Sequence, residues 1–416
     1  MKAPVQASDR LPHPDEKGML SDIYDTPEAL RETLRQYLKA GKVELPGLNT
    51  PLPEGHSMAG KTPMEVMAKC STADGNFSNR FTIIGCGTSH HAALVAEYLI
   101  EHIARIPVEV QYASEYRYRQ PVSRPGDVFI VVSNSGATTD SVESMRLLRR
   151  SDSGKDVLTV GVVNEAESTI GKEADVCIQS LAGAEAGVAS TKVFSCTVLS
   201  FVLLAIALGE AAGTFKDAER KALLEKLEEI PSLVQGVIDT ESRPLKKDST
   251  QSLEIGECIL WDMSCQNVLA QNFIYLGRGC NFPIALEGAM KCKEMAYIHA
   301  EGYPAAEMKH GPIALIDQFM PVVVIAPQSD PCYDKIKANI NEVATRSGCV
   351  IAITDSPADD MRDLCEYIIR VPSTHELLMP LITVIPMQLL AYMMGVLKGN
   401  EVDRPRGLRK SISVPV

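Results

Sequence analysis

The sequence predicts an α/β protein built from two tandem doubly wound domains, each a parallel sheet covered by helices on both faces. Three observations carry this. From Phe81 onward, short β-branched apolar runs alternate with stretches of helical periodicity. The alternation occurs twice, separated by a charged stretch without strand signals. The two halves also align on their turns: Gly85-Cys86-Gly87 matches Gly277-Arg278-Gly279, and Ser135 matches Ser329 at nearly the same offset.

Residues 1–17 are polar and read as a tail. Residues 18–80 read as a helix followed by a linker. The helix lies within 18–40, with Thr26 placed to cap it, Pro27 and Glu28 suited to its first turn and Gly41 to its end. The Pro/Gly-rich stretch 42–65 is a loop. The first domain, 81–213, has strands at 81–85, 128–133, 157–163 and 175–180, with helices at about 89–104, 139–150 and 192–209. A helical connector, 214–250, follows. The second domain, 251–397, has strands at 272–277, 321–326, 349–354 and 366–371, with helices at about 283–296, 331–347 and 380–397. Residues 398–416 form a basic tail.

Composition narrows the function. The 416 residues are 45% hydrophobic and 23% charged, with a net charge of −12. Such a chain buries a sizeable core and repels phosphate backbones, which argues against nucleic acid as a partner. The eleven cysteines show no zinc spacing, so reduced thiols in a cytoplasmic protein are expected, and no metal or other cofactor is implied. Two apolar stretches, 193–208 and 379–397, could suggest a membrane. The first is shorter than the roughly 20 residues a span needs, and Pro386 interrupts the second. Both read as buried core helices.

Several turns carry chemistry. SNSGAT (133–138) follows a buried strand and precedes a helix. It offers hydroxyls from Ser133, Ser135 and Thr138, the Asn134 amide, and Gly136 for close backbone approach, which together suit a phosphate. An ordinary capped turn has the same composition. Thr88-Ser89 ends the first strand similarly, and GCGTSH does not match the dinucleotide pattern. The Gly/Ala-rich loop 183–192 places Val188, Ala189 and Ser190 before an apolar helix, with Ser190 or Thr191 as its cap. In the second half, PQSDP (327–331) lacks the small donors, so one anion site is expected, in the first half. Glu287, Lys291 and Glu294 share one helix face. They form either a solvated ion-paired face or, if desolvated, a general base beside a lysine. His310 stands in a KHGP turn. The ending RPRGLRKSISV reads as a basic tail or as the carrier of a Schiff-base lysine.

Taken together, GCGTS, SEYRYR, SNSGAT, GAEAGVASTK, LEGAMKCKEMAYIHAEGYPAAEMKHGPIALID and RPRGLRKSISV, in this order, resemble the isomerase half of the glutamine:fructose-6-phosphate amidotransferase (glucosamine-6-phosphate synthase) family. That half is two flavodoxin-like sugar-isomerase (SIS) domains, and the resemblance runs from about Met19 to the end. It implies that Thr88, Ser89, Ser133, Asn134, Ser135 and Thr138 bind the sugar phosphate and that Val188, Ala189 and Ser190 line the sugar. It assigns proton transfer between C1 and C2 to Glu294, tuning of that step to Lys291, and ring opening to His310, reaching in from a neighbouring subunit. Lys410 is the implied Schiff-base lysine, on a mobile tail shared with Arg406. At least a homodimer is implied. Two departures stand out: Asn134 replaces the family's usual Gln, and Ala137 its usual Glu.

The family's glutaminase domain begins with a nucleophilic cysteine after the initiator methionine. Here Lys2 follows Met1, and about 80 residues precede the first SIS strand, too few for that domain. That domain is then excised, carried on a separate chain or absent, and the expected reaction is conversion of fructose 6-phosphate to glucosamine 6-phosphate with ammonia supplied externally or by a separate glutaminase subunit. Plain fructose-6-phosphate/glucose-6-phosphate isomerisation, amino-sugar-phosphate deamination and a non-catalytic sugar-phosphate-binding subunit are the alternatives.

Overall fold

The computed structural model describes residues 17–71, 79–119, 121–151, 154–242, 258–356 and 361–409. Most of the N-terminal tail, the end of the connector and the C-terminal tail from Lys410 onward lie outside the described residues. The described chain divides into two compact units. One, the N-sheet unit, comprises Glu28–Gly183 and Lys192–Glu228. The other, the C-sheet unit, comprises the described part of Met1–Pro27, together with Ala184–Thr191 and Glu229–Arg409.

Helix α1 (Met19–Tyr37) begins seven residues before the anticipated cap and contains Pro27. Thr26 is not a cap: its hydroxyl donates to Asp22 O at 3.1 Å inside the helix. Gly41 does not end the helix either. It turns a two-residue hairpin, β1 (Leu38–Lys39) with β2 (Lys42–Val43), at φ +71°. Helix α2 (Pro63–Ala68) follows, started by a capping box in which Thr62 and Glu65 bond each other's backbone.

The N-sheet unit then runs β3 (Phe81–Gly85), α3 (Thr88–Ala104), β4 (Val108–Tyr112), α4 (Ala113–Tyr116), β5 (Val128–Ser133), α5 (Thr139–Arg150), β6 (Leu158–Val163), α6 (Thr169–Glu173), β7 (Val176–Gln179) and α7 (Lys192–Ala211). The long helix α8 (Asp217–Glu241) leads out of it. The five strands are all parallel, in the order β4-β3-β5-β6-β7. Every residue of β3, β5 and β6 is buried. This is the physical meaning of their unbroken apolar runs: both faces of the sheet are covered. Edge strand β4, half-exposed along its length, has no counterpart in the sequence-based reading.

The C-sheet unit repeats the plan with α9 (Ile259–Asn267), β8 (Asn272–Gly277), α10 (Phe282–Ala296), β9 (His299–Pro304), β10 (Pro321–Ile325), α11 (Tyr333–Ala344), β11 (Cys349–Thr354), β12 (Tyr367–Arg370) and α12 (Met379–Leu397). Its order is β12-β11-β10-β8-β9, again all parallel. Numbered within its own unit, each sheet reads 2-1-3-4-5. The chain therefore reverses direction across the sheet between the first and third strands, opening a crevice beyond their carboxyl ends. In the N-sheet unit those ends are Gly85 and Ser133, so the turns GCGTS and SNSGAT follow neighbouring strands at the switch point.

The two membrane-length apolar stretches are interior helices, α7 and α12, whose most apolar windows are 94% and 100% buried. Helix α7 packs against α3 in one unit and α12 against α10 in the other. Burying each Leu, Ile or Phe there contributes about 1.5–3 kcal/mol relative to exposure. None of the eleven cysteines forms a disulfide among the described residues.

Candidate active site

The turn after β5 is organised around its own hydroxyls. Ser133 Oγ and Thr138 Oγ1 are 2.9 Å apart, and Gly136 N–H donates to Ser133 Oγ at 3.1 Å. Ala137 N–H donates to Ser135 Oγ at 3.3 Å. The backbone needs glycine at 136: φ is +60°, and a Cβ there would lie 1.8 Å from Ser168 Oγ. Asn134 O accepts from Asn164 N–H, tying the turn to the end of β6. Thr138 stands at the N-cap of α5 without capping it through its side chain, because its hydroxyl is shared with Ser133. Arg117, in the SEYRYR stretch, pairs with Asp140 in the first turn of α5 at 3.2 Å. On the neighbouring strand end, Gly85 allows the first turn of α3 to fold back closely: a Cβ would meet Ser89 C at 2.8 Å. Thr88 and Ser89 open that helix half-buried. Hydroxyls, backbone N–H groups and two helix N-termini thus gather at the switch point, a composition suited to an anion.

The C-sheet unit holds the charged cluster. Glu287, Lys291 and Glu294 project from one face of α10, and that face points inward. Lys291 is 1% exposed and Glu287 fully buried, while the Glu294 side chain keeps 20% exposure. Lys291 Nζ lies 2.5 Å from Glu294 Oε2 and 3.4 Å from Glu287 Oε1. Burial alone would push the ammonium's pKa down. Glu294 and Glu287, with a further contribution from Glu185, outweigh burial and hold it above the ordinary lysine value. The lysine is thus a fixed cation, and Glu294 is the member of the cluster that reaches solvent.

Glu185 is a residue that the sequence reading left without a role. It is the one acidic side chain in a loop of small residues, and it is buried. It accepts the Thr191 N–H at 2.7 Å as well as facing Lys291. Thr191 turns its hydroxyl back to Glu185. Ser190 is not spent as a cap: its Oγ is buried with no protein partner. Val188 N–H donates to Asp403 O. His310 ends a short 3-10 turn, Glu307–His310, exposed and without a hydrogen bond or ion pair among the described residues. The structure therefore joins Lys291 to Glu294 within the chain. Arg406 docks on Tyr297 at the C-terminus of α10. Lys410 lies outside the described residues.

Hydroxyl-rich turns at the switch point of one sheet, and a buried acid–lysine–acid row in the other unit, stand on two α/β domains of one repeated plan. The SIS domain family model matches residues 77–207 and 269–398, and the chain belongs to that family. It is similar to glutamine–fructose-6-phosphate aminotransferase (isomerizing) of Chlorobaculum tepidum, 42% identical over 401 residues, which cover 96% of this chain and 58% of that protein. The same-named protein of Bacteroides thetaiotaomicron is 39% identical over 396 residues, covering 95% and 58%. Among solved structures, the C-terminal domain of glucosamine-fructose-6-phosphate aminotransferase from Francisella tularensis superposes with a TM-score of 0.79 at 31% identity, covering 94% of this chain and 98% of that one. The chain spans about 58% of the length of the curated relatives it matches, and the matched part is their isomerase half.

Proposed function

We propose that this chain converts fructose 6-phosphate to glucosamine 6-phosphate, using ammonia as the nitrogen nucleophile. The observation that carries the reading is the Glu287–Lys291–Glu294 row, in which a buried lysine lies between a buried carboxyl group and one that reaches solvent. The similarity to aminotransferases supplies the substrate.

Thr88, Ser89, Ser133, Asn134, Ser135 and Thr138 take the phosphate, and Val188, Ala189 and Ser190 line the sugar. The orphaned Ser190 hydroxyl suits a sugar oxygen. The ketose ring opens with His310 as acid–base, supplied by a second copy in a homodimer, in keeping with its exposed and unpaired position. Lys410, on the tail that Arg406 anchors, forms a Schiff base with the C2 carbonyl. Ammonia displaces it and leaves nitrogen on C2. Glu294 then removes a proton from C1 and returns it to C2, which yields the aldose with its amine. Lys291 stabilises the charge that develops on oxygen during this transfer. The overall change consumes one ammonia and releases one water. A separate glutaminase chain is one source of that ammonia, and eleven cysteines outside any disulfide suit a cytoplasmic setting.

A product assay by NMR tests this. The chain is incubated with fructose 6-phosphate alone, with ammonium, and with glutamine. Glucosamine 6-phosphate in the ammonium sample is expected. Glucose 6-phosphate alone would make the protein a plain isomerase, and no product would leave it a binding subunit.

A further inference from the structure

The first turn of α1 and the segment after α12 meet at the loop assigned above to the sugar. Asp22, 1% exposed, accepts Ala186 N–H at 2.8 Å and Gly187 N–H at 2.7 Å on one carboxylate oxygen, with a second contact to Ala186 on the other at 3.0 Å. These partners are 164 and 165 residues away along the chain. Asp403 works from the other side. Its carboxylate accepts Met19 N–H at 2.7 Å, and its carbonyl accepts Val188 N–H at 3.3 Å. Close approach makes this possible. A Cβ on Gly18 would lie 2.2 Å from Asp403 Oδ1, and one on Gly187 would lie 3.0 Å from Met19 Cα. Three consecutive backbone N–H groups, 186 to 188, are thereby fixed immediately before Ala189 and Ser190. Loops of small residues have little side-chain packing to hold them, so backbone hydrogen bonds to buried carboxylates set their shape.

We propose that Asp22, seconded by Asp403, is a positioning residue for substrate: the Asp22 carboxylate and the Asp403 backbone carbonyl latch the 185–190 loop in the shape that receives the sugar. This rests on the assignment of Val188, Ala189 and Ser190 to the sugar. It makes the N-terminal helix and the segment leading to the C-terminal tail one mechanical element with the loop. The latch acts on substrate binding.

The test compares Asp22→Ala with Tyr24→Phe in the full chain. Tyr24 sits on the same helix and anchors it elsewhere, through Ser242 at 2.8 Å, so its variant controls for loss of helix docking. Hydrogen exchange of the 184–191 amides reads the latch without substrate. With two charge-assisted hydrogen bonds lost, exchange there rises at least about tenfold in Asp22→Ala and stays unchanged in Tyr24→Phe. With fructose 6-phosphate and ammonium, KM rises about tenfold in Asp22→Ala while kcat changes less than about twofold. Unaltered loop exchange, or kcat falling with KM held, overturns the proposal. If the wild-type chain makes no product, the proposed function fails, and the exchange result still decides whether the latch exists.

Discussion

The guanidinium of Arg406 stacks 4.3 Å from the centre of the Tyr297 ring, and the Arg406 N–H donates to Tyr297 Oη at 2.8 Å. Tyr297 is the left-handed C-cap of α10, at φ +53°. The helix bearing Lys291 and Glu294 therefore ends on the residue that docks the segment leading to Lys410.

Removing that dock uncouples the tail from the helix. The stacking and the hydrogen bond each contribute about 1 kcal/mol at a surface site. Tyr297→Ala is expected to lower kcat roughly tenfold and to raise hydrogen exchange over 398–409. Tyr297→Phe keeps the ring and falls between it and wild type. Wild-type turnover in Tyr297→Ala would show that the dock has no role in catalysis.

The buried row separates stability from chemistry. Lys291→Met removes the cation 3.4 Å from the buried Glu287 carboxyl and costs about 3–5 kcal/mol of unfolding free energy. Glu287→Gln combined with Lys291→Met recovers most of that loss. Glu294→Gln keeps the fold and lowers kcat by about 10²–10⁴-fold, as expected for loss of a general base. Because the neighbouring carboxylates raise the Lys291 pKa, its stabilising contribution is complete below the unfolded lysine value of about 10.4 and is lost only as pH rises beyond the folded value. The stability gap between wild type and Lys291→Met should therefore stay flat from about pH 6 to 9 in denaturant titrations.

In the turn after β5, Gly136→Ala forces a Cβ onto Ser168 and a non-glycine residue into a left-handed backbone. A loss of about 2 kcal/mol or more is expected by thermal unfolding. Ser135→Ala removes one donor and keeps the fold. It weakens glucosamine 6-phosphate binding about tenfold by calorimetry, and unchanged affinity would move the phosphate elsewhere.

His90 stacks on Tyr112 with 3.7 Å between ring centres. Burial, reinforced by His91, pushes its pKa down to about 4. The unfolded imidazole binds its proton near pH 6.5, so between those values the unfolded state holds more protons and stability falls as pH falls. After allowance for solvent screening the loss is about 1–2 kcal/mol between pH 7 and 4. His90→Phe should remove that part of the slope in urea titrations at successive pH values, and an unaltered slope would place the titration on another group.

Element by element, legibility followed burial. β3, β5, β6, β8, β10 and β11 could be read from continuous apolar runs because both faces of each sheet are covered. β4 (VEVQY) and β9 (HAEGYP) lie at sheet edges, where solvent admits Glu, Gln, Gly and Pro, so no hydrophobic pattern marked them. The start of α1 was missed because Thr26-Pro27 has the chemistry of a helix start, yet it is buried inside a longer helix whose first turn is held by Asp403.

By itself, the sequence determined the two repeats, the strand-end turns rich in hydroxyls, and the spacing that puts Glu287, Lys291 and Glu294 on one helix face. These are properties of periods of two and 3.6 residues and of local turn chemistry. Only the tertiary structure decided that this face is buried, that Glu185 joins it, and that Asp22 and Asp403 hold the loop beside it. Burial and long-range hydrogen bonds depend on which segments pack together, and residues 22 and 187 meet because the fold brings them within 2.7 Å.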